Sequence, residues 1–289
     1  MGKKKDALGN RMKAYEGASR NFLTRRIPVI IRLDGKAFHT FTKGMEKPFD
    51  RVLMRAMQNT MKHLCENIQG CVFGYTQSDE ITLVLTDYAT IKTDAWFDYN
   101  VQKMTSIAAS MATMAFNREF KRAVEDWHID VGIRGYEVWG LGDPARTPPG
   151  ETDVKLAELY TSRFDKALFD ARAFSVPKDD ICNCLIWRQQ DATRNSIEAV
   201  GQAHFSHGEL QKKTCNEVQE MLWQLRNINW NDFPADCKRG ACCYRTDKLV
   251  TMEDPRNPGK EIEVRRRVWT IDQEPPIFTQ EREYVERWL

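Results

Sequence analysis

The chain has no apolar run near the roughly 18 residues that suggest a membrane-spanning helix. Its start, "MGKKKDALGNRMK", also lacks the apolar core of a signal peptide. The expectation is a cytoplasmic protein with no membrane partner. Net charge is almost absent too: 43 lysines and arginines face 41 acids, leaving +2, so overall charge argues for no nucleic-acid role by itself. Paired C-x-x-C spacing is missing among the eight cysteines, since Cys182 and Cys184 stand one residue apart and Cys237, Cys242 and Cys243 crowd together. Free thiols are therefore expected rather than a zinc site, and the His204-x-x-His207 pair is equally weak. There is no internal repeat and no low-complexity tract. With 42% hydrophobic and 29% charged residues over 289 positions, the chain can bury a sizeable core.

Charge is local instead. "GKKK" at 2–5, "TRR" at 24–26 and "RRR" at 265–267 are basic pieces that could form one phosphate-facing surface. Against them stand Asp79 and Glu80 in "GYTQSDEITLVL", two carboxylates heading an apolar run. A hairpin turn accounts for them at its simplest, because Ser and Asp bond local backbone. A metal site accounts for them more sharply, because carboxylates at a sheet edge can hold a hard divalent cation against phosphate oxygens. That reading needs a second acid.

"IPVIIRLDG", 27–35, reads as a buried strand closed by Asp-Gly, which leaves Asp34 at a strand end. Apolar residues at Leu53, Met57, Met61, Leu64 and Ile68 predict a helix over 49–68. Strands at 71–76 and 81–85 make a hairpin, and a long helix should run from about Thr93 to Arg122, its Met104 and Met111 being core packing. "WGLGDPARTPPGE", 139–151, reads as a loop, and 169–176 as a fourth strand. The order is the β-α-β-β-α-β plan of ferredoxin-like and polymerase-palm domains, an α/β (α+β) fold with an antiparallel sheet. The first and third strands are neighbours in that plan, so Asp34 and Asp79 can meet. Beyond it, helices at 180–205 and 207–225 and a hairpin over 242–270 form an extension. The expected division is a palm-like catalytic domain, 1–178, with a helical and hairpin extension, 179–289, packed on it.

Four segments in series, "RLDGKAFHTF", "YTQSDEITLVL", "FDAR" and "WRQQDATRNS", resemble the tRNA-His guanylyltransferase superfamily of 3′-to-5′ polymerases over most of residues 10–235. The resemblance implies two Mg²⁺ ions held by Asp34, the backbone carbonyl of Gly35, and Asp79, as phosphoryl transfer requires. It implies Lys47 and Ser78 on the triphosphate of ATP, GTP or another NTP, with Arg32, His39 and Lys103 near the nucleotide or RNA end. It places Arg188, Asp191, Arg194, Asn195 and Ser196 beside the active site and against tRNA. Arg265, Arg266 and Arg267 are further candidate tRNA contacts from their charge. The family's habit implies a homotetramer.

After "WRQ-D", eukaryotic members carry a "HINNLYNT"-type stretch, whereas "ATRNSIEAV" stands here, 192–200. This looks like the bacterial and archaeal guanylyltransferase-like branch, which implies template-directed repair of 5′-truncated tRNA. The rival expectations are addition of a single G to histidine tRNA, a nucleotide cyclase, and a non-catalytic RNA-binding module. The last would want exposed aromatics on its central strands, and "VIIRL" and "ITLVL" have none.

Overall fold

The fold was analysed in a computed structural model, which describes residues 6–130, 150–254, 256–257 and 259–289. The "GKKK" run and nearly all of the 139–151 loop lie outside them. The chain opens with α1 (Ala7–Gly17), then β1 (Val29–Gly35), the short α2 (Phe38–Phe41), α3 (Arg51–Asn67) and the hairpin β2 (Cys71–Gln77) and β3 (Glu80–Leu85). There follow α4 (Val101–Asp130), α5 (Glu151–Ser162), β4 (Phe169–Ser175) and α6 (Lys178–His204). The last part holds α7 (His207–Leu210), α8 (Cys215–Arg226), α9 (Ala235–Arg239), the hairpin β5 (Ala241–Glu253) and β6 (Glu261–Asp272), and α10 (Glu283–Glu286).

The six strands form one antiparallel sheet in the order β4-β1-β3-β2-β5-β6. Its four strands β4-β1-β3-β2 realise the expected plan, and the C-terminal hairpin lengthens the same sheet on the β2 side.

Strand side chains alternate between two faces. Val29, Ile31 and Leu33 of β1 and Ile81, Leu83 and Leu85 of β3 are fully buried with Met57, Met61 and Leu64 of α3 and Met104, Ala108 and Phe116 of α4. The expected methionine packing is thus found. Their neighbours Ile30 and Val84, with Phe73 and Tyr75, face the other way against Ile181 and Leu185 of α6 and Phe278 and Val285. Burying each such side chain contributes roughly 1.5–3 kcal/mol, so both faces carry the fold. By the same alternation Arg32, Asp34, Glu80 and Thr82 fall on the α6 face.

Several elements depart from the sequence reading. The helix α5 is started by Gly150, whose N–H donates to Asp153 Oδ2 at 3.0 Å, so the glycine that signals a loop is its cap. The helix α4 runs eight residues past Arg122. The expected helix over 207–225 is broken, because Lys212 takes φ 64° and a fresh start is capped by Thr214 and Glu217. All eight cysteines are free thiols.

The "TRR" run is not a free basic surface. Arg25 Nε donates to Asp87 at 2.7 Å and its Nη1 to Asp98 at 2.8 Å, while Arg26 donates its side chain to the carbonyls of Thr90 and Ile91. Asp87 is fully buried and also accepts from the Arg26 backbone N–H at 2.9 Å. These groups tie the loop before β1 to the segment after β3.

Candidate active site

Gln77 and Glu80 pair across the hairpin, which leaves Ser78 and Asp79 as a two-residue turn. Ser78 holds φ 49°, a conformation that costs an L-residue roughly 1–2 kcal/mol and favours glycine. Serine there points to a use for its hydroxyl, which donates to Asp79 Oδ1 at 3.1 Å.

The end of β1 lies against this turn. Gly35 N–H donates to the Asp79 carbonyl at 3.1 Å, and Asp34 sits opposite Glu80 on one side and Asp170 on the other. Gly35 has no room for a side chain: a Cβ would come within 2.3 Å of the Phe38 ring. That ring stacks with Phe41, 5.0 Å between centroids, and packs on Phe116 and Phe169. The aromatic cluster therefore fixes where the Asp-Gly corner stands.

Donors are shared unevenly among the carboxylates here. Burial raises Asp79 above the usual carboxylate range and the nearby Asp34 charge adds to it, against the lowering effect of its own backbone N–H and Ser78. Burial likewise raises Glu80, opposed chiefly by Arg188. Glu80 Oε2 accepts from Arg188 Nη1 at 2.8 Å, and Arg32 lies 3.9 Å from both Glu80 and Asp34. Arg172 of β4 approaches Asp34 at 3.2 Å and Asp170 at 3.5 Å. The Trp187 ring carries the Arg188 guanidinium 3.6 Å from its centroid and that of Arg32 at 5.5 Å. The Nε atoms of Arg32 and Arg188 are buried without an acceptor among the described residues.

Two clefts share Ser78 and Leu53. One, about 380 Å³, is lined by Gly35, Ala37, His39, Thr42 and Asp79; the other, about 170 Å³, by Asp50, Met54, Gln77, Asn195, Ser196 and Cys237. Gly240 closes the second: it holds φ 77°, and a Cβ there would meet the Thr76 carbonyl at 2.3 Å. The Cys237 thiol is pushed up to about 11 by burial and by Asp236, so it is no nucleophile at neutral pH.

Asp34, Gly35, Ser78, Asp79, Arg32 and His39 are thus gathered at one corner, and Lys47 is exposed just before Pro48, which lines the smaller cleft. Lys103 is elsewhere. It lies in the first turn of α4, 6.0 Å from the Phe97 ring and near the Arg25 corner. The helix meets the site end at Thr113, whose hydroxyl accepts from Phe169 N–H at 3.1 Å. Ten residues at 1.5 Å each make that roughly 15 Å away.

Two of the expected RNA contacts are buried instead. Arg188 is spent on Glu80, and Ser196 accepts from Trp230 Nε1 at 3.0 Å, although it also lines the smaller cleft. Asp191 bridges Arg188 at 3.5 Å and Arg194 at 2.7 Å, leaving Arg194 and Asn195 exposed. Arg265, Arg266 and Arg267 are exposed on β6, but strand alternation puts Arg266 on the face opposite the other two. They do not form one surface.

Sequence reasoning missed Glu80, Arg172 and Trp187 as site residues. The signal was available for the first two, since palm register sets "SDE" and "FDAR" on either side of Asp34.

The donor set has hard-cation chemistry. Two carboxylates crowd one corner where the backbone is bare, and among the described residues no cluster of three or more His, Cys, Asp and Glu side chains could hold a metal. Such a pair leaves remaining positions to water and phosphate oxygens, the habit of magnesium rather than zinc.

A profile described as tRNAHis guanylyltransferase matches residues 9–177. A bacterial tRNA(His) guanylyltransferase-like protein solved with ATP is 38% identical, covers 98% of each chain and superposes with a TM-score of 0.72. One solved with GTP is 36% identical, with a TM-score of 0.70 over 98% of this chain and 99% of that one. A probable tRNA(His) guanylyltransferase of Dictyostelium discoideum is 23% identical over 81% of either sequence.

Proposed function

The chain belongs to the tRNAHis guanylyltransferase family, a family of nucleotidyltransferases, and from this premise we propose that it repairs tRNA by templated 3′-to-5′ addition of nucleotides to a truncated 5′ end. One observation carries the reading. Asp79, with Asp34 beside it, opens onto the larger cleft, and Ser78 joins that cleft to the smaller one, which offers the triphosphate and the RNA end a place next to the acids.

Two displacements are needed. A 5′-phosphate oxygen of the RNA attacks the α-phosphorus of ATP, the bond to the β-phosphate breaks, and pyrophosphate leaves. The 3′-hydroxyl of the incoming NTP then attacks the RNA's 5′-phosphorus, and AMP leaves with the bonding pair. An end already bearing triphosphate loses pyrophosphate directly. In both displacements negative charge grows on phosphoryl oxygens and must be met by fixed positive groups.

Asp34, the Gly35 carbonyl and Asp79 would hold two Mg²⁺ ions, which when bound neutralise that charge. This chain's own residues do the rest. Ser78 and Lys47 face the triphosphate, and His39 lines the larger cleft. Arg32 and Arg188, with buried Nε donors still to be satisfied, supply positive charge behind the corner and are held flat by Trp187. Arg194 and Asn195 meet the RNA at the mouth of the smaller cleft. Templating rests on "ATRNS", which stands where eukaryotic relatives carry another stretch.

The test is incubation with a 5′-truncated tRNA and all four NTPs, reading the length and sequence of the product. Changing the templating base from C to A should switch incorporation from G to U. G added regardless of the opposing base, with dependence on a histidine anticodon, would assign the chain to single-G addition instead.

A further inference from the structure

The outer strand β6 contains "EIEVRRR", Glu261 to Arg267, with its acids in one half and its arginines in the other. It ends the sheet, and among the described residues no strand pairs with its outer side. The β5–β6 ladder continues for twelve pairs, yet β5 is joined to β2 only through Ala241 to Cys243. Most of the hairpin is therefore a two-stranded arm, and such arms are marginal in water by themselves.

We propose that the β6 edges of two copies of this chain pair antiparallel about a two-fold axis beside Val264, joining the two sheets into one. In that register each residue meets the one equally far from Val264 on the other copy. Glu261 then faces Arg267, Glu263 faces Arg265, and both pairs lie on the same face, as strand alternation requires. Their reciprocals make four opposite-charge pairs per dimer. Moving the centre one residue to Glu263 sets Glu263 against itself, and moving it to Arg265 sets Arg265 against itself. Only the Val264 register matches every acid with a base, so the sorting of charge along the strand fixes both partner and alignment. A charged edge normally wards off other strands. Here the charge repels strangers while fitting a second copy.

Charge reversal tests it. Arg265→Glu with Arg267→Glu makes the edge all acidic, and Glu261→Arg with Glu263→Arg makes it all basic. Each double variant should raise the dimer dissociation constant at least tenfold in sedimentation equilibrium. The fourfold variant carrying both exchanges should restore it, and mixing the two double variants should give a heterodimer. Equal weakness of the fourfold and double variants, or native assembly by either double variant, overturns the proposal.

A second measurement holds even where another interface contributes to the mass. Facing residues in such a ladder lie about 4.5–5.5 Å apart between Cα atoms, within disulfide reach. Val264→Cys with diamide as oxidant should therefore give a covalent dimer that the native chain does not form. The dimer should disappear when the acidic double exchange is added, and its failure to form in Val264→Cys overturns the proposal.

Discussion

The strands β1 and β3 carry acids near both ends, and the two ends treat them differently. At one end Asp87 is sealed from water but receives Arg25, the Arg26 backbone N–H and no neighbouring acid in direct contact. At the other, Asp34, Asp79 and Glu80 crowd together: arginines reach Asp34 and Glu80, Asp79 has only the Ser78 hydroxyl and its own backbone N–H, and Asp79 and Glu80 are raised above the ordinary carboxylate range. A fully furnished carboxylate is a brace. A crowded group of them, with Asp79 short of donors, fits the cation that the proposed function calls for.

The comparison breaks most visibly in catalysis. Asp34→Ala or Asp79→Ala should drop nucleotide addition below about one-hundredth of the native rate, the scale for removing a stabiliser of transition-state charge. The unfolding midpoint should stay at or above the native value. A variant keeping a tenth of the activity would take that aspartate out of the chemistry.

Asp87→Ala is the mirror experiment. It should cost about 3 kcal/mol of stability, at the low end for removing one partner of a buried pair because Arg25 remains partly in water. The rate per folded molecule should not change, as denaturant titration paired with active-site counting would reveal.

Ser78→Gly sharpens the contrast on a smaller scale. Relief of the left-handed conformation, less the extra chain entropy of glycine, should stabilise the fold by roughly 0.5–1 kcal/mol. NTP use should fall while RNA binding holds, because only the hydroxyl is lost. Unchanged kinetics would make the serine a turn residue and nothing more.

The smallest effect is in pH dependence. The Asp79 carboxyl is raised in the folded chain, so the fold binds this proton more tightly than the unfolded chain does, and ionisation at neutral pH weakens the fold. Asp79→Asn, measured with EDTA present, should thus raise the thermal midpoint at pH 7. The gain should vanish as pH falls through the carboxylate range, where native Asp79 is itself protonated. A gain that persists at low pH would point to packing rather than charge.

Much of this was readable from the sequence because it rests on local punctuation. Pro28 and Asp34-Gly35 bracket a short apolar run, and Ser78-Asp79 splits two others, so strands, topology and the meeting of two acids follow. The fates of Arg188 and Ser196 do not, since a helix pattern shows which residues share a stripe but not that α6 lies over a charged part of the sheet. Lys103 fails for a related reason. The length of α4 carries its first turn to the far end of the strands, and no spacing rule says which turn of a long helix meets a site. The cap at Gly150 was hidden because glycine and proline mark loops and helix starts alike.

The part of the chain matched by the family profile ends at 177, just where α6 begins. Ile30, Phe73, Tyr75 and Val84 lie before that point, yet all four are buried by residues that come after it. A fragment cut where the profile match stops would bare a greasy sheet face and lose Arg188 from Glu80, so it should aggregate rather than work as a minimal enzyme. For anyone trimming or grafting this protein, the end of the profile match is not a seam. A fragment that keeps α6 and the closing segment through Val285 should stay soluble where one ending at 177 does not, as expression of the two side by side would reveal.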